Sequence, residues 1–198
     1  MNRRFLWILL LLTSVLAVYF LFFRSNSGPD TPKDKPLAIG ENTAGFNASF
    51  QELLKTYEVL KAGFTASDSN AVNAAAAAII ISADSLKTNE IQGDSTGSIK
   101  LLAIDLVSSL RASAEALQKE ADLEAKRTEF KMISEYLWNL ARVVQYKGVK
   151  LYYINCSSAL NNNGGSWIAA QKERLNPYLG KETPDCANAT DSIDYSKN

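Results

Sequence analysis

The sequence predicts a mainly α protein: an N-terminal transmembrane helix followed by an antiparallel four-helix bundle with a small irregular C-terminal appendage. Three observations predict it. Residues 5–23, FLWILLLLTSVLAVYFLFF, form a 19-residue run without a charge. Four later stretches repeat apolar residues at three- and four-residue steps, the mark of amphipathic helices. The last third loses that period and holds both cysteines and an Asn/Gly cluster. The expected organisation is an anchor over 1–24, a Pro-rich linker over 25–43, a helical-bundle domain with a Cys-bearing segment over 44–188, and a tail over 189–198.

At about 1.5 Å per residue the first run spans roughly 28 Å as a helix, close to the ~30 Å hydrocarbon core of a bilayer. Trp7 near one end and Tyr19, Phe22 and Phe23 near the other suit interfacial aromatic belts. A cleaved signal peptide is the competing reading, with Val15-Leu16-Ala17 as its cutting site. Cleavage there would leave Val18 to Phe23 as an apolar new terminus, so the anchor reading leads. No Cys follows the run for lipid attachment. Arg3 and Arg4 hold the short N-terminus in the cytoplasm, with Arg24 a small counterweight, and place the rest outside it.

Ser25 to Thr43 contains Pro29, Pro32, Pro36, Gly28 and Gly40, a semi-extended leash. In the first helical stretch Phe46, Phe50, Leu53, Leu54, Tyr57, Leu60 and Phe64 make one stripe. Asp68 or Ser69 caps a second through Val72, Ala75, Ala76, Ile79, Ile80, Ala83 and Leu86. Turn formers fill Lys87 to Gly97. Ser98 starts a third helix, whose expected stripe is Leu101, Leu102, Asp105, Leu106, Ser109, Leu110, Ser113 and Leu117. Asp122 caps the fourth, with Leu123, Phe130, Ile133, Leu137, Leu140, Ala141 and Val144 facing inward. Short connections favour an up-down bundle. Val149 to Ile154 reads as a short strand ending at Cys156. Asn161 to Gly165 reads as a turn, Trp167 to Leu175 as a short helix, and Asn176-Pro177-Tyr178 as its stop.

Composition excludes several functions. The 198 residues carry 21 basic and 21 acidic side chains and no histidine. Without imidazole there is no His general base, no Ser-His or Cys-His pair and no His-ligated zinc. Beyond Arg24 the chain has 18 basic against 21 acidic residues, which gives no electrostatic reason to bind nucleic acid. Carboxylates at Glu90, Asp94, Glu115, Glu120, Asp122, Glu124 and Glu129 read as solvated faces rather than acid-base pairs. Gly164-Gly165-Ser166 lacks the strand and Lys of a phosphate loop. Asn47, Asn155 and Asn188 match the glycosylation acceptor pattern, a short and weak signal. The expectation is a non-enzymatic domain without a cofactor. Its partners are the membrane and a membrane protein, and its oligomeric state is left open.

Tyr153-Ile154-Asn155-Cys156-Ser157-Ser158-Ala159, then Gly164-Gly165-Ser166-Trp167-Ile168, then Asn176-Pro177-Tyr178-Leu179-Gly180 and Cys186, form a distinctive order. It resembles a bacterial family of exported domains found alone or fused to the end of periplasmic adaptor subunits of copper/silver efflux systems. Arg127-Thr128-Glu129-Phe130 and Ser134 resemble that family's last bundle helix. The resemblance covers about 46–188, is most specific from Tyr153 to Cys186, and implies heavy-metal handling at an inner-membrane protein facing the periplasm. The family pattern reads Cys-Pro-Met-Ala at the first cysteine and has a Met before the second. Here Ser158 stands in the Met position, and Lys181 to Asp185 offer none. Met132 is the only Met beyond the initiator. Soft cations select thiolate and thioether sulfur, so the donor set is reduced.

Three readings of Cys156 and Cys186 stay open at this stage: a structural disulfide, a reduced pair that binds Cu(I), and free thiols unrelated to each other. Outside the cytoplasm the pair would form a structural disulfide, closing a loop of about 31 residues worth on the order of 3–4 kcal/mol. Reduced, the same two thiols would bind Cu(I). Trp167, Tyr178 and Tyr153 are likewise either a ligand or partner surface, or a satellite core beneath the cysteines.

Overall fold

The computed structural model describes residues 42–173, 175–180 and 186–196. The apolar run 5–23 and all but the last two residues of the expected linker lie outside them. Those last two, Asn42 and Thr43, already belong to the domain. Thr43 caps helix α1 (Ala44–Ala66), its hydroxyl accepting from the Phe46 N–H at 3.0 Å. The Asn42 amide donates to the Val144 carbonyl at 2.6 Å. The stripe on α1 is buried as expected, from Phe46 to Phe64. The helix ends at Ser67 in the left-handed region (φ 55°), with the Ser67 and Asp68 N–H groups returning to Phe64 and Gly63 carbonyls at 3.0 Å.

Helix α2 (Ser69–Asp84) starts at Asp68, whose carboxylate accepts from the Asn70 and Ala71 N–H groups, both at 3.0 Å. Its Val72, Ala75, Ala76, Ile79 and Ala83 are buried. A 3₁₀ turn over Thr88–Glu90 leads to helix α3 (Ser98–Lys119). Helix α4 (Leu123–Val143) is capped by Asp122, which accepts from the Ala125 N–H at 2.8 Å. Consecutive helices pack on one another, α1 on α2, α2 on α3 and α3 on α4. Among the described residues no helix is long and apolar enough to cross a membrane.

The expected stripe on α3 is corrected. Leu101 is 64% and Leu102 42% exposed, whereas Ile99, Ala103, Leu110, Ala114 and Leu117 are buried. Two apolar lines run along this helix. The line of Ile99, Ala103, Leu110, Ala114 and Leu117 takes the core position, so Leu110 and Leu117 of the expected stripe are buried while Leu101 and Leu102 stay outside.

Among the described residues the C-terminal part forms a small sheet rather than an irregular appendage. Strands β1 (Leu151–Cys156), β2 (Gly165–Ala169) and β3 (Asn188–Ile193) form an antiparallel sheet in the order β2-β1-β3. The helix expected over Trp167–Leu175 is therefore wrong at its start: Trp167 pairs with Ile154, Ile168 with Tyr153 and Ala169 with Tyr152. All five β2 residues are buried, which removes the solvated polar face a surface helix would need. Residues 189–193, expected within a tail, form most of β3. The expected turn after β1 is present. Its Leu160 (φ 51°), Asn161 (φ 56°) and Asn162 (φ 69°) are left-handed, and Gly164 (φ 74°) completes the reversal into β2.

Candidate functional site

The residues singled out in the sequence meet where the sheet docks on the helices. Strand β2 is an outer strand, and its outward-facing backbone would be left without partners inside the core. Two side chains one turn apart on α1 supply them. The Tyr57 hydroxyl accepts from the Ile168 N–H at 3.0 Å, and the Lys61 ammonium donates to the Ile168 carbonyl at 3.3 Å. Tyr57 also shares a hydrogen bond with the Ser134 hydroxyl of α4 at 2.8 Å. Lys61 sits between Glu58 at 2.6 Å and Glu173 at 2.7 Å, and Glu173 accepts from the Trp167 ring N–H at 3.1 Å. Burying this cation is tolerable because two carboxylates and a carbonyl surround it.

Tyr178 closes the other end of β2. Its hydroxyl donates to the Ser166 carbonyl at 2.6 Å and accepts from the Ser166 N–H at 3.2 Å. Its ring lies on Gly165, where a Cβ would come within 2.6 Å of ring carbons. Tyr57, Phe64 and Tyr178 all pack on Phe130, with centroids 5.6, 4.8 and 5.6 Å away. Arg127 of α4 donates to the Pro177 carbonyl at 3.1 Å. Burial pushes the Tyr57 and Tyr178 hydroxyls well above the ordinary tyrosine range. The half-burial of Tyr153 raises it in the same direction.

The cysteines lie at the C-terminal end of β1, where Cys156 pairs with Gly165. Cys156 is fully buried, and its sulfur is at disulfide distance from that of Cys186, with Cα atoms 4.8 Å apart. Buried Asn176 donates to the Cys186 sulfur at 3.4 Å and accepts from the Tyr178 N–H at 2.9 Å. The Ser158 hydroxyl, in the position of the family's Met, sits 3.4 Å from the Cys156 sulfur. Met132 instead lines a hollow of about 390 Å³ between α4 and the turn at Leu160–Asn163. Among the described residues no group of three His, Cys, Asp or Glu side chains is placed to hold a metal.

The ligand-or-partner-surface reading is corrected for two residues. Trp167 is 0% and Tyr178 2% exposed, because their polar tips are satisfied inside, by Glu173 and Ser166. Tyr153 keeps partial exposure, stacked on Trp138 at 5.1 Å. The carboxylates serve structure. Asp94 accepts from the Lys100 N–H at 2.9 Å at the start of α3, and that bond holds its carboxyl below the usual range. Glu90 hydrogen-bonds Thr43 at the start of α1 and pairs with Lys87. Glu115 pairs with Arg111 and Glu124 with Arg127. Sequence reasoning missed Lys61 and Glu173, and it quoted Ser134 and Asn176 in the family pattern without giving them a role at the site. The usable signal was Lys61 one turn beyond Tyr57, beside an otherwise apolar stripe.

Fold and site together define a mainly helical domain onto which a small sheet is docked, with Cys156 and Cys186 at disulfide distance beside it. A family described as "Protein of unknown function (DUF3347)" matches residues 53–147, a span from the middle of α1 to just past α4. It supports a domain of unknown function, and it ends before Tyr153, where the resemblance was expected to be most specific. No curated protein and no solved structure matches the chain.

Proposed function

We propose that the chain is a membrane-anchored, non-enzymatic interaction domain on the periplasmic side of the inner membrane. In this reading an antiparallel four-helix bundle stands on the Pro-rich leash, and the domain is a relative of a heavy-metal-handling family in which a disulfide has replaced the metal site. The observation that carries it is the Cys156–Cys186 pair: each sulfur has the other as its partner, and a disulfide sulfur is a poor ligand for soft cations. An oxidised pair also belongs to compartments outside the cytoplasm, in line with the uncharged run at 5–23 and the arginines before it. The Asn42–Val144 bond, joining the start of α1 to the end of α4, supports the up-down arrangement. The domain takes no cofactor, and its partner is a membrane protein.

Thiol alkylation of the full chain in native membranes, read by mass spectrometry, tests this reading. Neither cysteine should be modified before reduction, and the oxidised protein should take up no copper. Two alkylatable thiols with stoichiometric Cu(I) would replace it with a copper-binding accessory using Cys156 and Cys186, the reading that the family resemblance favours. Fractionation completes the test: the chain should stay in the membrane pellet through carbonate extraction.

A further inference from the structure

The two outer strands of the sheet are held in different ways. Every β2 residue is buried, and its backbone is fixed by Tyr57, Lys61 and Tyr178. In β3, Asn188 to Ser192 are exposed; only Ile193, with Ala187 just before the strand, packs against the core, and each does so partly. Beyond its ladder to β1, which is interrupted by a register shift between Tyr153 and Ile154, β3 makes a side-chain bond of 3.4 Å from Thr190 to the Tyr153 carbonyl. A six-residue strand with so little buried surface does not offset the entropy of ordering it. The Cys156–Cys186 pair, with Cys186 two residues before Asn188, ties the start of β3 to the end of β1.

We infer that Cys156–Cys186 is a redox latch on β3, and that opening it turns the outer edge of β1 into a docking edge for the same strand of a second copy of this chain. A dithiol reductant supplies two electrons and two protons, the S–S bond becomes two thiols, and the reductant leaves as its own disulfide. The freed edge presents unpaired backbone groups, the template for strand addition. The occupant follows from the strand register: residues 188–193 already pair with this edge, so the identical segment of another copy fits it equally well. The inference goes beyond the proposed function and needs neither the anchor nor a metal.

The test uses the full chain in detergent, oxidised and reduced, with hydrogen exchange read by mass spectrometry. On reduction the amides of 188–193 should exchange about a hundredfold faster or more, while those of α1, α4 and β2 keep their protection. Unchanged exchange in β3 would overturn the latch. So would loss of protection throughout the helices, since the bond would then hold the whole domain. Exchange between copies is trapped by mixing a Cys156→Ser chain with a Cys186→Ser chain and oxidising them. A dimer linked from Cys156 of one chain to Cys186 of the other is expected in the mixture. Its absence would overturn the docking of a second copy.

Discussion

Tyr57→Phe removes one oxygen atom from the junction of three elements, and its cost can be worked from the contacts. The Ser134 hydroxyl keeps a second partner, the Phe130 carbonyl at 2.8 Å, so α4 loses little. The Ile168 N–H loses its acceptor inside a core where Tyr57 and Ile168 are at most 1% exposed. Orphaning a buried donor costs about 1–3 kcal/mol, and the lost hydroxyl–hydroxyl bond adds roughly 1. A destabilisation of about 2–4 kcal/mol is therefore expected, a large share of the ~5–15 kcal/mol that holds a typical domain. Urea unfolding should show it as a lower midpoint with an unchanged slope. Hydrogen exchange should show faster loss of the Ile168 amide than of the helix amides. A change below about 0.5 kcal/mol, with the Ile168 amide still protected, would refute the account of how α1 holds β2.

The same hydroxyl carries a pH signature. Tyr57 and Tyr178 keep their protons in the folded state well above the ordinary tyrosine pKa of about 10, so between that value and their raised folded values the unfolded chain binds fewer protons. Stability is then fully present below pH ~10 and falls above it, by about 1.4 kcal/mol per pH unit for each tyrosine. Denaturant titrations should give Tyr57→Phe roughly half the alkaline slope contributed by this pair in the parent. Cys156→Ser should lower the melting temperature as much as a reducing agent does. The loop bound of about 3–4 kcal/mol corresponds to at most ~15 °C, and less where β3 gains freedom in the folded state. Gly165→Ala should destabilise by several kcal/mol in thermal melts, because the added methyl meets the Tyr178 ring at 2.6 Å and that ring is pinned at its hydroxyl. Leu101→Gln and Leu102→Gln should each stay within about 0.5 kcal/mol of the parent; a loss of 2 or more would place those leucines in the core after all.

The helices were legible because their signals are local. Thr43 aside, the caps at Asp68 and Asp122 and the stripe on α1 follow from spacing within a few residues. Helix α3 was misread because large leucines were weighed above Ala103 and Ala114, although close approach favours the small side chain. Strand β2 was misread because its identity is settled by pairing with β1 and by Tyr57 and Lys61, more than a hundred positions earlier. Strand β3 carries almost no apolar signal, since its place is fixed by backbone pairing with β1. At the site, the two sulfurs were legible from composition, since the chain holds two cysteines and they allow one intramolecular pairing. That Trp167 and Tyr178 turn inward was not, because it depends on Glu173 and Ser166 receiving their polar tips.

The pairing of Ile168 with Tyr57 and Lys61 spans 111 and 107 positions along the chain. Helix α1, which waits for residues near 168 to satisfy its polar atoms, is not fully packed while the chain is still being made. For most of that passage α1 to α4 would expose the surface that β2 later covers. The bundle is thus a half-built vessel until its last quarter arrives, and a truncation or stall before Tyr178 should leave a product that proteases or chaperones take rather than a smaller working domain.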